Sequence, residues 1–259
     1  MHASIAVTVL FRRSLLQSIR SPYPLLAVVV VPLVLLWLID QLFGGLQAVT
    51  SIFQTASYLE YLAPAAAVSG VLPAAILCGR SLFIDRESGL FEQLLAAPVP
   101  STALLFGTLL AAALCACISS MAVLGVSLVA GLQLHAGAAG LIGVASLGVA
   151  LSVLYAALAC ALATLSQRGM LVGVGGWTLL LCSFLGSTLI LPESVLPGWL
   201  TVLAGFNPVN YAIEAARALA RPRPDYPFYL HNLLLLCCLA TAGVIVAMLT
   251  MRRDTEAAW

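Results

Sequence analysis

Apolar residues occupy this chain in blocks far longer than any soluble helix needs, and the polar positions fall between them in short clusters. Residues 93–167 contain no Asp, Glu, Lys or Arg. A membrane-spanning helix needs about 20 mainly apolar residues, so a run of this length holds two spans. The polar-rich segment Gly131-Leu-Gln-Leu-His-Ala-Gly137 divides it. Applied along the chain, the same reading predicts an all-α integral membrane protein with six spans. They fall at approximately 23–43, 61–83, 101–131, 139–165, 169–191 and 231–251, in one transmembrane domain over 1–259.

Between the second and third spans lies a charged island, with Asp85, Arg86, Glu87 and Glu92 close together. Its apolar residues Leu90, Phe91, Leu94 and Leu95 fall at i, i+1, i+4 and i+5, one stripe of a short amphipathic helix. Asp85 suits the N-cap of that helix and Pro98 stops it. Residues 11–20 predict a further, interfacial helix, with Phe11, Leu15, Leu16 and Ile19 on one face and Arg13, Gln17 and Arg20 opposite.

Arginine placement sets the expected orientation. The side holding both termini carries Arg12, Arg13, Arg20, Arg80, Arg86, Arg168, Arg252 and Arg253; the other carries Arg217, Arg221 and Arg223. Basic residues accumulate in cytoplasmic loops, which puts both termini and the island in the cytoplasm. A full-length span follows the N-terminal arginines, so the first apolar run reads as a signal anchor and not as a cleaved leader.

The outer segment between spans five and six is rich in Pro and aromatic residues, which suits a membrane–water interface. Residues 198–205 are apolar but too short to cross. Asn207-Pro208 reads as an N-cap followed by proline at the first helical position. The helix this starts carries Glu214 and Arg217 at i, i+3. Two short re-entrant helices are expected here, and the Glu214–Arg217 pair is read either as a surface pair or as part of an outer gate.

Composition narrows the chemistry. Hydrophobic residues make up 62% of the 259 and charged residues 8%, with a net charge of +1. Soluble domains carry about 25% charged residues, and so balanced a charge gives no bulk attraction to nucleic acid. The seven cysteines all lie in apolar runs and read as small hydrophobes. Three scattered histidines suggest no metal site, and Gly-x-Ser-x-Gly does not occur. Small residues at helical spacing, Gly169-Met-Leu-Val-Gly173 and Gly140-Leu-Ile-Gly143, suit close helix packing. Ion-driven pumps usually carry carboxylates within the bilayer, whereas Asp40 and Glu60 sit at span ends. The chain has no lysine, so it cannot supply a Walker A loop. Energy for uphill transport would have to come from another subunit.

The stretch Asp85-Arg-Glu-Ser-Gly-Leu-Phe-Glu-Gln-Leu-Leu-Ala-Ala-Pro98 resembles the cytoplasmic motif of type-2 ABC exporter membrane subunits. Leu196-Pro-Gly-Trp-Leu200, followed by Phe206-Asn-Pro-Val-Asn-Tyr-Ala-Ile-Glu-Ala-Ala-Arg217, resembles the same family's stretch before its last span. The nearest likeness is to daunorubicin-resistance and nodulation-factor export permeases. Asn210 and Tyr211 stand where the drug-export members vary, which leaves the cargo open. The resemblance implies a permease, not an enzyme, working beside two ATP-binding subunits and a second membrane subunit, identical or paralogous, in a bacterial cytoplasmic membrane. ATP and magnesium would be bound by the partner, and this chain would bind no cofactor. Asp85, Arg86, Glu87, Gly89, Leu90, Glu92, Leu94, Leu95 and Pro98 would form the coupling helix against the ATPase. Pro197, Trp199, Asn207, Pro208, Tyr211, Glu214 and Arg217 would form the outer gate. The expected cargo is a drug, lipid, glycolipid or oligosaccharide. The rival readings are an ion-driven carrier or channel, and an intramembrane enzyme or assembly factor.

Overall fold

The computed structural model describes residues 8–13, 30, 32–34, 36–38, 41–42, 58–87, 101–166 and 169–257. The described residues form helices and turns, with no strand among them. After a helical stretch at 8–13 come α1 (Tyr58–Ser69), α2 (Leu72–Glu87), α3 (Ser101–Val129), α4 (Gly137–Leu165) and α5 (Gly169–Leu185). A 3₁₀ turn (Glu193–Val195), α6 (Gly198–Phe206), α7 (Pro208–Ala220) and α8 (Tyr226–Ala257) complete the order.

Four described stretches are long and apolar enough to cross a membrane: Tyr58–Asp85, Thr102–Val129, Gly137–Leu165 and Tyr226–Arg252. The shortest, with 27 residues, reaches about 40 Å at 1.5 Å per residue, beyond the roughly 30 Å apolar layer. The first expected span lies mostly outside the described residues. The island from residue 88 to 100 lies outside them too, and with it Gly89, Leu90, Glu92, Leu94, Leu95 and Pro98.

Three boundaries differ from the hydropathy reading. The second span is two helices, broken at Gly70–Val71. Pro73 has no N–H to offer the Ser69 carbonyl four residues back, and as the second residue of α2 it suits a new helix start. Helix α2 then runs through Asp85 and Arg86 to Glu87, so Asp85 lies in a last turn and is not an N-cap. Helix α5 ends at Leu185, six residues before the expected 191. Its 17 residues reach only about 25 Å, short of the apolar layer.

Helix α4 sits at the centre, against α2, α3 and α8. Lipid tails are as apolar as leucine, so helices associate in a bilayer through close packing and interhelical hydrogen bonds. Both are present. Ser120 Oγ donates to the Ala67 carbonyl at 2.9 Å, Ser152 Oγ to that of Ala112 at 3.2 Å, and Tyr155 OH pairs with Ser183 Oγ at 2.6 Å. Gly143 leaves room for Leu219, but Gly173 faces open space and seats no described neighbour.

Gly79 gives the sharpest packing test. A Cβ there would stand 2.4 Å from Ala159 Cβ and 2.6 Å from the Ala159 carbonyl carbon, on the α4 backbone. Gly79→Ala should therefore cost about 1–3 kcal/mol by overpacking. Gly125→Ala, with nothing within 4 Å, should be neutral or gain roughly 0.5–1 kcal/mol. Melting midpoints of the two variants in one detergent check the contrast, and equal shifts would refute the α2–α4 contact.

Candidate transport site

Because α5 stops short, the chain after it is irregular from Gly186 to Leu191. Backbone groups inside a bilayer have no water to bond, so such a segment is stable only where protein satisfies it. Here the donors come from the first turn of α1 and from the start and last turn of α7.

Asn207 supplies the first of them. Its Nδ2 donates to the carbonyls of Ser183 at 2.7 Å and Gly186 at 2.9 Å, in the last turn and just past the end of α5. Its Oδ1 accepts from the Val209 N–H at 3.0 Å, capping α7. One amide therefore closes two helix ends, with Pro208 at the first helical position as expected.

Arg217 supplies the second. A guanidinium carries five N–H donors in a fixed fork, and each has an acceptor. Nε reaches the Tyr61 carbonyl at 3.2 Å. Nη1 reaches Thr188 Oγ1 at 3.0 Å and Glu214 Oε1 at 2.8 Å. Nη2 reaches the carbonyls of Thr188 at 2.8 Å and Leu189 at 3.2 Å. The group also lies 3.6 Å from the Tyr61 ring centroid, a cation–π geometry. The two tyrosines of α1 complete the set: Tyr61 OH donates to the Thr188 carbonyl at 3.0 Å and Tyr58 OH to that of Ile190 at 2.9 Å. Asn210 Oδ1 accepts the Thr188 N–H at 3.1 Å, and the Thr188 hydroxyl lies between Asn210 Oδ1 and Glu214 Oε1.

Arg217 is only 6% exposed, so its pair with Glu214 is not a surface pair. Of the residues expected at an outer gate, Asn207, Glu214 and Arg217 join this network. Tyr211 donates to the Gly205 carbonyl and ties α6 to α7. Pro197 and Trp199 stand apart on α6, whose residues are largely exposed. Tyr58, Tyr61 and Thr188 went unsuspected. Their partners are 22 to 156 positions away in sequence, and no local pattern marks them.

Across the same irregular segment lies a cavity of about 360 Å³. Leu62, Gly70, Pro73, Trp177, Phe184 and Ile190 are among its lining residues, nearly all apolar, and Pro32 and Leu36 close one side. It can hold a hydrocarbon body and offers almost nothing to a sugar.

At the opposite end of the second span, Arg13 Nη2 donates to Asp85 Oδ1 at 2.6 Å. In the 8–13 helix Arg12 is exposed while Phe11 and Arg13 are half-buried, and the rest of the expected 11–20 helix lies outside the described residues. Glu87 is exposed at the end of α2.

Residues 5–220 match the ABC-2 type transporter family. The chain belongs to that family. Among its relatives, the daunorubicin resistance ABC transporter permease protein DrrB1 of Streptomyces coeruleorubidus is 27% identical over 93% of this chain and 82% of its own length. A putative transport permease, ycf38, of Porphyra purpurea is 32% identical over 82% of this chain and 72% of the relative. A probable doxorubicin resistance ABC transporter permease, DrrC, of Mycobacterium tuberculosis is 26% identical over 82% and 75%. This ABC-2 chain is thus a multi-pass membrane permease.

Proposed function

We propose that this chain is the membrane subunit of an ATP-driven exporter that moves a hydrophobic or amphipathic molecule out across a bacterial cytoplasmic membrane. The observation that carries the reading is the ABC-2 match over residues 5–220; the lack of lysine, and so of a Walker A loop, favours ATP hydrolysis on another subunit. Two ATP-binding subunits, holding ATP and magnesium, would meet two membrane subunits through the island that begins at Asp85 and Arg86. Movement there would pass through α2 and α1 to the irregular outer segment. The names of the drug-resistance relatives and the apolar cavity both favour cargo with a large hydrocarbon surface over an oligosaccharide.

Co-expression with an ATP-binding subunit, followed by reconstitution, tests this reading. The expected result is ATP-dependent movement of a lipophilic dye, lost when the partner's Walker A lysine is replaced. Transport that follows an ion gradient and ignores ATP would favour the carrier reading instead. In the same vesicles, Glu87→Ala combined with Glu92→Ala is expected to lower transport while leaving the chain inserted. Full transport and full ATPase stimulation in that double variant would remove those carboxylates from the contact.

A further inference from the structure

We propose that Arg13 and Asp85 form a latch that fixes the direction in which the second span delivers the charged island to its ATPase, making Arg13 a positioning residue for coupling. The proposal rests on the export reading above. The helix at 8–13 is held at two places. Arg13 grips Asp85, two residues before α2 ends at Glu87. Leu10 is buried against Gly107, in the second turn of α3: a Cβ on Gly107 would stand 3.0 Å from Leu10 Cβ and 3.1 Å from the Phe11 nitrogen. Residues 88–100 leave from α2 and arrive at α3, so one short helix braces the anchors on both sides of the island.

The chemistry suits an orienting contact more than a stabilising one. The Arg13 side chain is 34% exposed and that of Asp85 12%. The Asp85 carboxylate is buried but the Arg13 side stays open to solvent, so removing the charge from both partners changes global stability little, whereas stranding the carboxylate alone would not. An Arg–carboxylate contact is nonetheless directional, because the planar guanidinium fixes the approach of the oxygen. The carboxylate of Asp85 is therefore oriented by a contact within this chain.

The test uses the full chain co-reconstituted with its ATP-binding partner. Asp85→Asn, alone or together with Arg13→Gln, leaves no buried unpaired carboxylate and should keep yield and melting midpoint, but lower the stimulation of the partner's ATPase by about fivefold or more, a modest coupling energy between sites. The charge exchange, Arg13→Asp with Asp85→Arg, should restore stimulation. Stimulation at wild-type level in both variants would overturn the latch, as would a joint fall of melting midpoint and stimulation. A wild-type chain that stimulates no ATP-binding partner would instead sink the export reading, and the latch with it.

Discussion

Arg217→Ala is expected to destabilise the folded chain more than any other single substitution in the outer segment. It would strip the guanidinium from the Tyr61, Thr188 and Leu189 carbonyls and leave Glu214 beside them without its cation. Breaking a buried charged pair by removing one partner costs about 3–5 kcal/mol. A purely gating Arg217 would impair export before assembly. Burial reverses that order, since the segment cannot stay inside the membrane with several backbone acceptors unpaired. Arg217→Lys should not rescue, because an ammonium has three donors and no planar fork for five acceptors. Yield of monodisperse protein and melting midpoint in detergent are the measurements. An alanine variant that melts with the wild type would refute the clamp, and the gate role could then be sought in transport rates alone.

Asn207 should show an inversion of the usual capping order. At an ordinary N-cap, Asp serves as well as Asn. Here the amide nitrogen is as important as the oxygen, because it donates to Ser183 and Gly186. Asn207→Asp would keep the Val209 bond and turn a negative oxygen on two carbonyls. Asn207→Ala should cost about 2 kcal/mol or more, from a lost cap and unpaired carbonyls, and Asn207→Asp should cost more still. Melting midpoints rank the three chains. A ranking with Asp close to Asn would mean that the amide does not bridge the two helices.

Asn207-Pro208 was legible because capping is local chemistry: the donors an Asn side chain serves lie two residues away. Helices α3 and α4 were legible because the apolar run gives their lengths and the Gly131–Gly137 segment divides it. Gly131 and Gly137 both adopt positive φ there, 104° and 56°, which the glycines permit. The end of α5 was not legible. Leu189, Ile190 and Leu191 are as apolar as any span, and hydropathy records immersion but not helicity. The break in the second span had its signal in Pro73, overlooked because the run stayed apolar on both sides. Asp85 was misassigned for a related reason. A charged cluster after a span looks like a new helix start, yet nothing in charge alone stops the preceding helix. The Arg217 network lay beyond reach, since four of its five acceptors belong to residues 29 or more positions away or 28 away, and three of those are main-chain oxygens with no sequence signature.

Apart from Ser187 and Thr188, whose hydroxyls are bonded, the irregular segment is held by its main chain and leaves its apolar side chains uncommitted. The carbonyls of Ser183, Gly186, Thr188, Leu189 and Ile190 take their donors from Tyr58, Tyr61, Asn207 and Arg217. Phe184, Leu185, Leu189 and Ile190 line the cavity. A lineage can therefore rewrite the cavity wall without disturbing what supports it, so long as the four donors persist. For hybrid transporters, the unit to graft is discontinuous: residues 58–61 must travel with 183–217. A graft of 183–217 alone would bring the acceptors and leave half of their donors to the host.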